Sequence, residues 1–282
     1  MSTQTQLHHD LLELAQRAAA AGAGVLAGRD DVSPAGLPLS SSRHGIETKT
    51  SVSDFVTDFD RRAEEAVREV LTGHRPNDVI SGEEYGTTEV AEPSGYRWSI
   101  DPLDGTTNFL RGIIYYGTSV GLQDPEGEWI IGVVSAPGLS RRWWAVRGTG
   151  AFTSRGTGEP VQIYGPTGEL GAGLLATGFG YEPTRRDQQL ASAAAMNAQF
   201  GNLRRLGAAA LDICMVADGT INAYAEYGIQ EHDWAAAAVI AEEAGVPVRR
   251  PAAPDGDQDP DWCLVGDIGI DPAALRPAPA GL

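Results

Sequence analysis

The chain has 282 residues with 21 Lys and Arg against 38 Asp and Glu, a formal net charge of −17. That balance repels nucleic acid and anionic membrane, and at long range it repels a phosphate ester too. No run approaches the about 18 apolar residues of a membrane span, and the N-terminus has no basic stretch leading into an apolar one, so a cytoplasmic location is expected.

Leu7, Leu11, Leu12, Leu14, Ala15 and Ala18 form a helical stripe in the first 25 or so residues. Asp30 to Ser42 is rich in Pro, Gly and Ser and reads as a loop. A second helix is expected from Asp58 to Leu71, capped by Thr57 or Asp58 and ended by Gly73. Asp78 to Ser81 reads as a strand running into Gly82-Glu83-Glu84, and Tyr96 to Ile100 as a strand that delivers Asp101 at its end. Tyr116 to Gln123, Trp129 to Ser135 and Arg142 to Val146, split by turn residues, predict an antiparallel meander. Gly165 to Gly171 marks a boundary between halves. Beyond it, strands at Leu174 to Thr177, Ile221 to Ala225, Val246 to Arg249 and Trp262 to Val265 alternate with helices at Arg185 to Phe200, Ala208 to Ala217 and His232 to Ala244. Such alternation implies layers of sheet and helix. The expected organisation is one domain, with an N-terminal α+β half over about residues 1–165 and a C-terminal α/β half over about 166–270. Cys214 and Cys263 read as buried reduced thiols, Ala252 to Asp261 as an acidic loop, and the last ten residues as frayed.

Chemistry concentrates in Asp101-Pro102-Leu103-Asp104-Gly105-Thr106-Thr107-Asn108-Phe109. A strand ends in an acid, Pro turns the chain, and a second acid follows three residues on. Two carboxylates so close repel unless a cation lies between them. Magnesium suits such a place, since it takes oxygen ligands, commonly one or two carboxylates with waters and substrate phosphate. Gly105 allows close backbone approach to an anion, and a helix starting at Thr106 would turn free N–H groups toward it. A plainer reading has Asp104 capping a helix and Asp101 on the surface.

The nine-residue string resembles the signature of the inositol monophosphatase family, Asp-Pro-[Ile/Leu]-Asp-Gly-Thr-[Thr/Ser]-Asn-[Phe/Tyr]. Val56-Thr57-Asp58-Phe59-Asp60, Gly82-Glu83-Glu84, the run from Leu206 to Asp212, Ala225-Glu226-Tyr227-Gly228 and His232-Asp233-Trp234-Ala235-Ala236 are similar to further family blocks. The resemblance spans roughly Leu11 to Gly245. It implies a layered αβαβα sandwich, an α/β fold of the inositol monophosphatase and fructose-1,6-bisphosphatase type, that usually pairs into a homodimer. It implies two to three Mg2+ ions. Glu83, Asp101 and the Leu103 carbonyl would hold one, Asp101, Asp104 and Asp233 a second, and Glu83 through water a looser third. Asp60 and Thr106 would activate the attacking water, and Gly105 and Thr106 would offer N–H groups to phosphate. Asp104, Gly207, Ala208, Glu226 and Asp233 would line the substrate.

Taken singly, each residue has a plainer reading. Glu83 and Glu84 fit a solvated turn, Asp60 and Asp233 fit acids favoured by a helix N-terminus, and Glu226 fits a strand-end surface acid. Glu84 is assigned a structural role. The family's Gly-[Thr/Ser]-Ala turn is Gly207-Ala208-Ala209 here, so one hydroxyl is missing. His232 stands where Trp is usual, either as a packed histidine or as a substrate contact. Lys49 is a candidate phosphate contact or a solvated lysine. The expected activity is Mg2+-dependent hydrolysis of a small polyol or sugar phosphate, inositol 1-phosphate first. Histidinol phosphate and a pathway-specific sugar phosphate come next, ahead of fructose 1,6-bisphosphate and adenosine 3′,5′-bisphosphate. A regulatory scaffold that keeps the fold is the non-enzymatic alternative.

Overall fold

The computed structural model describes residues 3–32, 38–39, 47–48, 55–180, 183–251 and 261–270. Lys49, most of the Pro- and Gly-rich stretch, the acidic run 252–260 and the tail 271–282 lie outside the described residues.

The first half begins with α1 (Thr3–Ala27), α2 (Arg29–Val32) and a short antiparallel pair, β1 (Glu47–Thr48) and β2 (Phe55–Val56). Then come α3 (Asp58–His74), β3 (Val79–Gly82), β4 (Gly86–Thr87), β5 (Arg97–Asp104) and α4 (Thr106–Arg111). The meander follows as β6 (Gly117–Gln123), β7 (Trp129–Ala136), β8 (Arg141–Val146), β9 (Ala151–Arg155) and β10 (Val161–Ile163). The second half holds β11 (Leu174–Ala176), α5 (Pro183–Asn197), β12 (Asn202–Arg204), α6 (Ala209–Ala217) and β13 (Ala223–Tyr227). It closes with α7 (Glu231–Glu243), β14 (Val248–Arg249) and β15 (Trp262–Val265).

The first-half strands from β3 on build an eight-stranded sheet in the order β10-β9-β8-β7-β6-β5-β3-β4. Its antiparallel meander runs two strands past the expected three, and β3 lies parallel to β5. The second sheet has the order β12-β11-β13-β15-β14, with β11 parallel to β12 and β13 and antiparallel pairing on either side of β15. Several expected boundaries move. Gly73 does not end α3, which continues to His74, and the strand expected at Ile221 begins at Ala223. The strand expected to stop at Ile100 runs on through Asp104.

Side-chain parity separates the layers. On β5 and β6, Trp98, Ile100, Val120 and Leu122 pack with Leu11, Leu14, Ala18, Val67 and Leu71 of α1 and α3. On the second sheet, Tyr224, Cys263 and Val265 join α6 and α7, while Ala223, Ala225 and Leu264 pack with Met196 and Phe200 at the end of α5. That is the period of two expected of strands buried on both faces. The layers therefore run α1/α3, large sheet, α6/α7, small sheet, α5. Cys214 and Cys263 are both buried and free.

The middle layer explains the sequence of α7. Every residue from Trp234 to Ala241 is buried, so this helix has no polar face, as a helix held between two sheets requires. Its alanines face glycines: a Cβ at Gly132 would overlap the Ala236 carbonyl, and one at Gly121 would lie 3.1 Å from the Ala236 nitrogen. The helix backbone rests almost directly on β6 and β7, and Asp233 sits in its first turn.

Candidate active site

Asp101 and Asp104 face one side because the strand between them is irregular. β5 pairs with β6 at Asp101↔Ser119 and next at Asp104↔Gly117, so three steps on β5 meet two on β6. In a regular strand residues three apart point opposite ways; one extra residue resets the alternation. The chain then enters α4 through Gly105, whose φ of 91° is open to glycine but strained for other residues. Behind this string, Phe109 packs between Phe59 and Tyr116, each at 5.0 Å. The buried Arg29 donates from Nε to the Phe109 carbonyl at 2.6 Å.

The plainer readings of the acids turn out to be compatible with a site. Asp60 is the third residue of α3 and closes a capping box with Thr57. Its Oδ2 accepts from the Thr57 nitrogen at 2.8 Å, and its Oδ1 faces the Thr106 hydroxyl at 3.0 Å. Asp233 is likewise third in α7, with Oδ2 accepting from the Gln230 nitrogen at 2.6 Å. Asp101 accepts from the Leu103 nitrogen at 3.0 Å. Asp104 does cap a helix, but not the one that follows it. Its two oxygens accept from the Ala209 and Ala210 nitrogens at 2.9 and 2.8 Å, at the start of α6 in the other half. Ala208, at the N-cap of α6, brings no side-chain bond, so a carboxylate from β5 supplies the anion that the missing hydroxyl cannot. Asp101, expected on the surface in that plainer reading, is 1% exposed.

Other contacts sew the two halves together here. A Cβ on Gly105 would lie 3.2 Å from the Ala208 Cβ and 3.3 Å from the Gly207 carbonyl, so the two turns assigned to phosphate and substrate are in contact. Asn108 Nδ2 donates to the Tyr115 and Leu206 carbonyls at 2.8 Å each. The Tyr115 hydroxyl donates to the buried Asp212 at 2.7 Å. Arg97 on β5 makes a two-pronged pair with Glu231, two residues before Asp233.

Burial dominates the electrostatics, and the acids raise one another. Asp101 is held well above the usual carboxylate range by burial, then by the charges of Glu83, Asp104 and Asp233. Burial and Asp233 do the same to Asp104, against the α6 N–H groups. Burial lifts Asp60 to about 7, with Glu83 and Glu84 adding to it and Thr57 opposing. Glu226 is lifted to about 7 by burial although the Tyr224 hydroxyl donates to it at 2.6 Å, and the Asp233 charge raises it further. Glu83 is half-buried in the turn between β3 and β4, and His232 Nε2 lies 3.8 Å from Asp233 Oδ1.

These acids fit a cation. Buried carboxylates that raise one another are stabilised as anions by a positive ion among them. Ser119, the cross-strand neighbour of Asp101, has a buried hydroxyl without a hydrogen-bond partner among the described residues, a group that a metal's water shell would satisfy. Among the described residues no three acidic, His or Cys side chains already stand together as a finished cage. A magnesium ion fits that arrangement by taking one or two carboxylates and completing its shell with a carbonyl, water and phosphate.

Sequence reasoning did not single out Glu64, Arg68, Asn108, Tyr115 or the Arg97–Glu231 pair. The one signal available was an acid four residues after Asp60, on the same face of α3.

A model of the Inositol monophosphatase family matches residues 11–269. The Inositol-1-monophosphatase SuhB of Mycobacterium tuberculosis is 40% identical over 206 residues, 72% of this chain and 71% of the relative. The Histidinol-phosphatase of the same organism is 35% identical over 205 residues, covering 71% and 75%. The Nus factor SuhB of Pasteurella multocida is 36% identical over 199 residues, covering 70% and 72%. The crystal structure of extragenic suppressor protein suhB from Bartonella henselae superposes with a TM-score of 0.76 at 28% identity, covering 92% and 94%. A structure of an IMPase/NADP phosphatase complexed with Mg2+ and phosphate shares the fold, with a TM-score of 0.66 at 21% identity, covering 80% and 83%. Motif, layer order and relatives agree, and the chain belongs to the inositol monophosphatase family of phosphatases.

Proposed function

We propose that this protein is a Mg2+-dependent phosphomonoesterase acting on a small polyol or sugar phosphate, with inositol 1-phosphate as the first candidate. The observation that carries the reading is the Asp60–Thr106 contact, 3.0 Å long, beside two buried acids on one bulged strand. Glu83, Asp101, Asp104, Asp233 and the Leu103 carbonyl would hold two to three Mg2+ ions. An ion held there would offset the ester's charge and make water easier to deprotonate for attack.

The chain's own groups do the rest. The Thr106 hydroxyl donates a hydrogen bond to Asp60 Oδ1, which turns a lone pair of the hydroxyl outward to accept from a water; as the water attacks, its proton passes to Thr106 and the Thr106 proton to Asp60. A carboxyl lifted to about 7 is matched to taking a proton near neutral pH. The Gly105 and Thr106 N–H groups orient the phosphoryl oxygens. Gly207, Ala208 and Glu226 form the wall against the alcohol part, with Asp104 and Asp233 beneath it. The site needs no phosphorylated side chain, because water is the nucleophile.

Two further readings rest on relatives. The similarity to a histidinol-phosphatase makes histidinol phosphate the second substrate candidate, and the similarity to a Nus factor keeps a regulatory role in view. Phosphate release from inositol 1-phosphate, histidinol phosphate and sugar phosphates, with Mg2+ and with EDTA, separates them. Metal-dependent release from a polyol phosphate supports the reading. Absence of release from every ester sinks the enzymatic reading and leaves the regulatory one. A homodimer in the cytoplasm is part of the same proposal, and sedimentation of the full chain tests the dimer.

A further inference from the structure

Helix α3 carries a second buried acid, one turn beyond Asp60. Glu64 is 0% exposed, and an unpaired carboxylate there would cost several kcal/mol. It is paired. Oε1 accepts from Arg68 Nε at 2.8 Å and from the Tyr85 nitrogen at 3.2 Å, and Oε2 accepts from the Glu84 nitrogen at 2.7 Å. Arg68 Nη2 donates onward to the Gly86 carbonyl. A Cβ on Gly82 would fall on the Glu64 carboxylate, so the turn approaches it as closely as a glycine allows.

The segment gripped in this way is the hairpin turn that bears Glu83. β3 and β4 pair at Ser81↔Thr87 and Gly82↔Gly86, with the Thr88 nitrogen donating to the Ile80 carbonyl beyond them, which leaves Glu83, Glu84 and Tyr85 as the connection. With β4 only two residues long, such a hairpin has little stability of its own. Its backbone N–H groups point to Glu64, and its far end is held by Arg68. Asp60, Glu64 and Arg68 follow at intervals of four along one face of α3. The same helix thus supplies Asp60 and anchors the turn of Glu83.

We propose that Glu64, with Arg68, is a positioning residue that sets the Glu83 turn and thereby tunes cation affinity. This rests on the reading of Glu83 as a metal ligand. Groups that orient metal ligands through hydrogen bonds are worth about 10–100-fold in metal affinity, and no contact from Glu64 reaches the wall of Gly207, Ala208 and Glu226. The effect therefore falls on the metal and not on the ester.

The full-length protein, Glu64→Gln and Arg68→Lys are compared by titration calorimetry with Mg2+ alone. The expected result is a Mg2+ dissociation constant raised about tenfold in Glu64→Gln and less in Arg68→Lys. The Mg2+ activation curve shifts in parallel, and the KM for the ester at saturating Mg2+ stays unchanged. A wild-type Mg2+ constant in a folded Glu64→Gln variant overturns the proposal, and so does an equal loss in KM. Hydrogen exchange of the metal-free wild type needs no variant. Slow exchange at the Glu84 and Tyr85 amides supports the brace; fast exchange overturns it. Neither calorimetry nor exchange uses a phosphate ester, so a wild type that binds Mg2+ but hydrolyses nothing sinks the proposed function and leaves the brace standing.

Discussion

Apart from Asp60 and Glu83, the first half of the chain carries its candidate site residues in one continuous string, whereas the second half scatters its contribution across a turn, a strand end and a helix start. Asp101 to Phe109 lies on one bulged strand and one short helix. Gly207 with Ala208, Glu226, and Asp233 come from three separate segments. They are held in place partly by first-half groups: Asp104 on α6, Asn108 on the Leu206 carbonyl, and Arg97 on Glu231. The string can be read on its own. The wall is meaningful only once the string has docked against it.

Asp104 is where the two regions are least separable, so Asp104→Asn is expected to have the largest effect. Turnover should fall by more than the about 10²–10³-fold typical of losing one charge contact at a reacting centre. The melting temperature should fall too, because Asn can offer only one oxygen to two α6 N–H groups, a loss of about 1 kcal/mol. Retained turnover would remove Asp104 from the metal site. An unchanged melting temperature would remove it from the helix.

Thr106→Val tests the string without touching the wall. It leaves Asp60 Oδ1 without its hydroxyl, and kcat should drop about 10²–10³-fold while KM holds. A large rise in KM with kcat intact would instead mean that Thr106 binds the ester.

Gly132→Ala tests the scaffold beneath the wall. Its methyl would meet the Ala236 carbonyl, and such overpacking costs about 1–3 kcal/mol. Chemical denaturation measures it, and wild-type stability would show that α7 can lift off β7.

The pH dependence comes next. Asp60 is raised from 3.8 to about 7 and Glu226 from 4.5 to about 7. The folded state then holds protons that the unfolded chain has already released, so stability of the metal-free protein falls as pH rises through this window. In EDTA the melting temperature should be higher at pH 5.5 than at 7.5, and Mg2+ should flatten the slope. A slope that Mg2+ does not alter would separate these acids from the cation.

Ala208→Ser is the smallest change and sharpens the comparison most finely. Its extended backbone suits an N-cap, but Asp104 already serves that helix, so the gain should stay below about 1 kcal/mol. A lower KM for inositol 1-phosphate in this variant would identify the missing hydroxyl as a substrate contact.

Much of this was legible in the sequence. The stripe from Leu11 to Ala18, the middle of the meander and the acidic string carry patterns that neighbours in sequence determine. β9 and β12 were not visible, because Thr153, Ser154 and Arg155 alternate no apolar face and Asn202 to Arg204 is three residues long. Glu64 was missed because an acid on a helix is ordinarily solvated, and only the fold brings the Glu84 nitrogen to it from 20 residues away. The cap on α6 was out of reach for the same reason, with its acid 105 residues upstream. A helix-start role does not exclude a site role for Asp60 or Asp233, since each carboxylate has two oxygens: Asp60 Oδ2 accepts from the Thr57 nitrogen while Oδ1 faces the Thr106 hydroxyl.

The seam between α7 and the glycines of β6 and β7 has a consequence for how this protein can diverge. Where peptide backbone meets peptide backbone, no side chain can be lengthened on one side and trimmed on the other to compensate. Drift at Ala235 and Ala236 is confined to the smallest residues. Asp233 rides on that helix, so its offset from Asp101 is inherited from main-chain thickness, a dimension that side-chain substitution has little means to adjust.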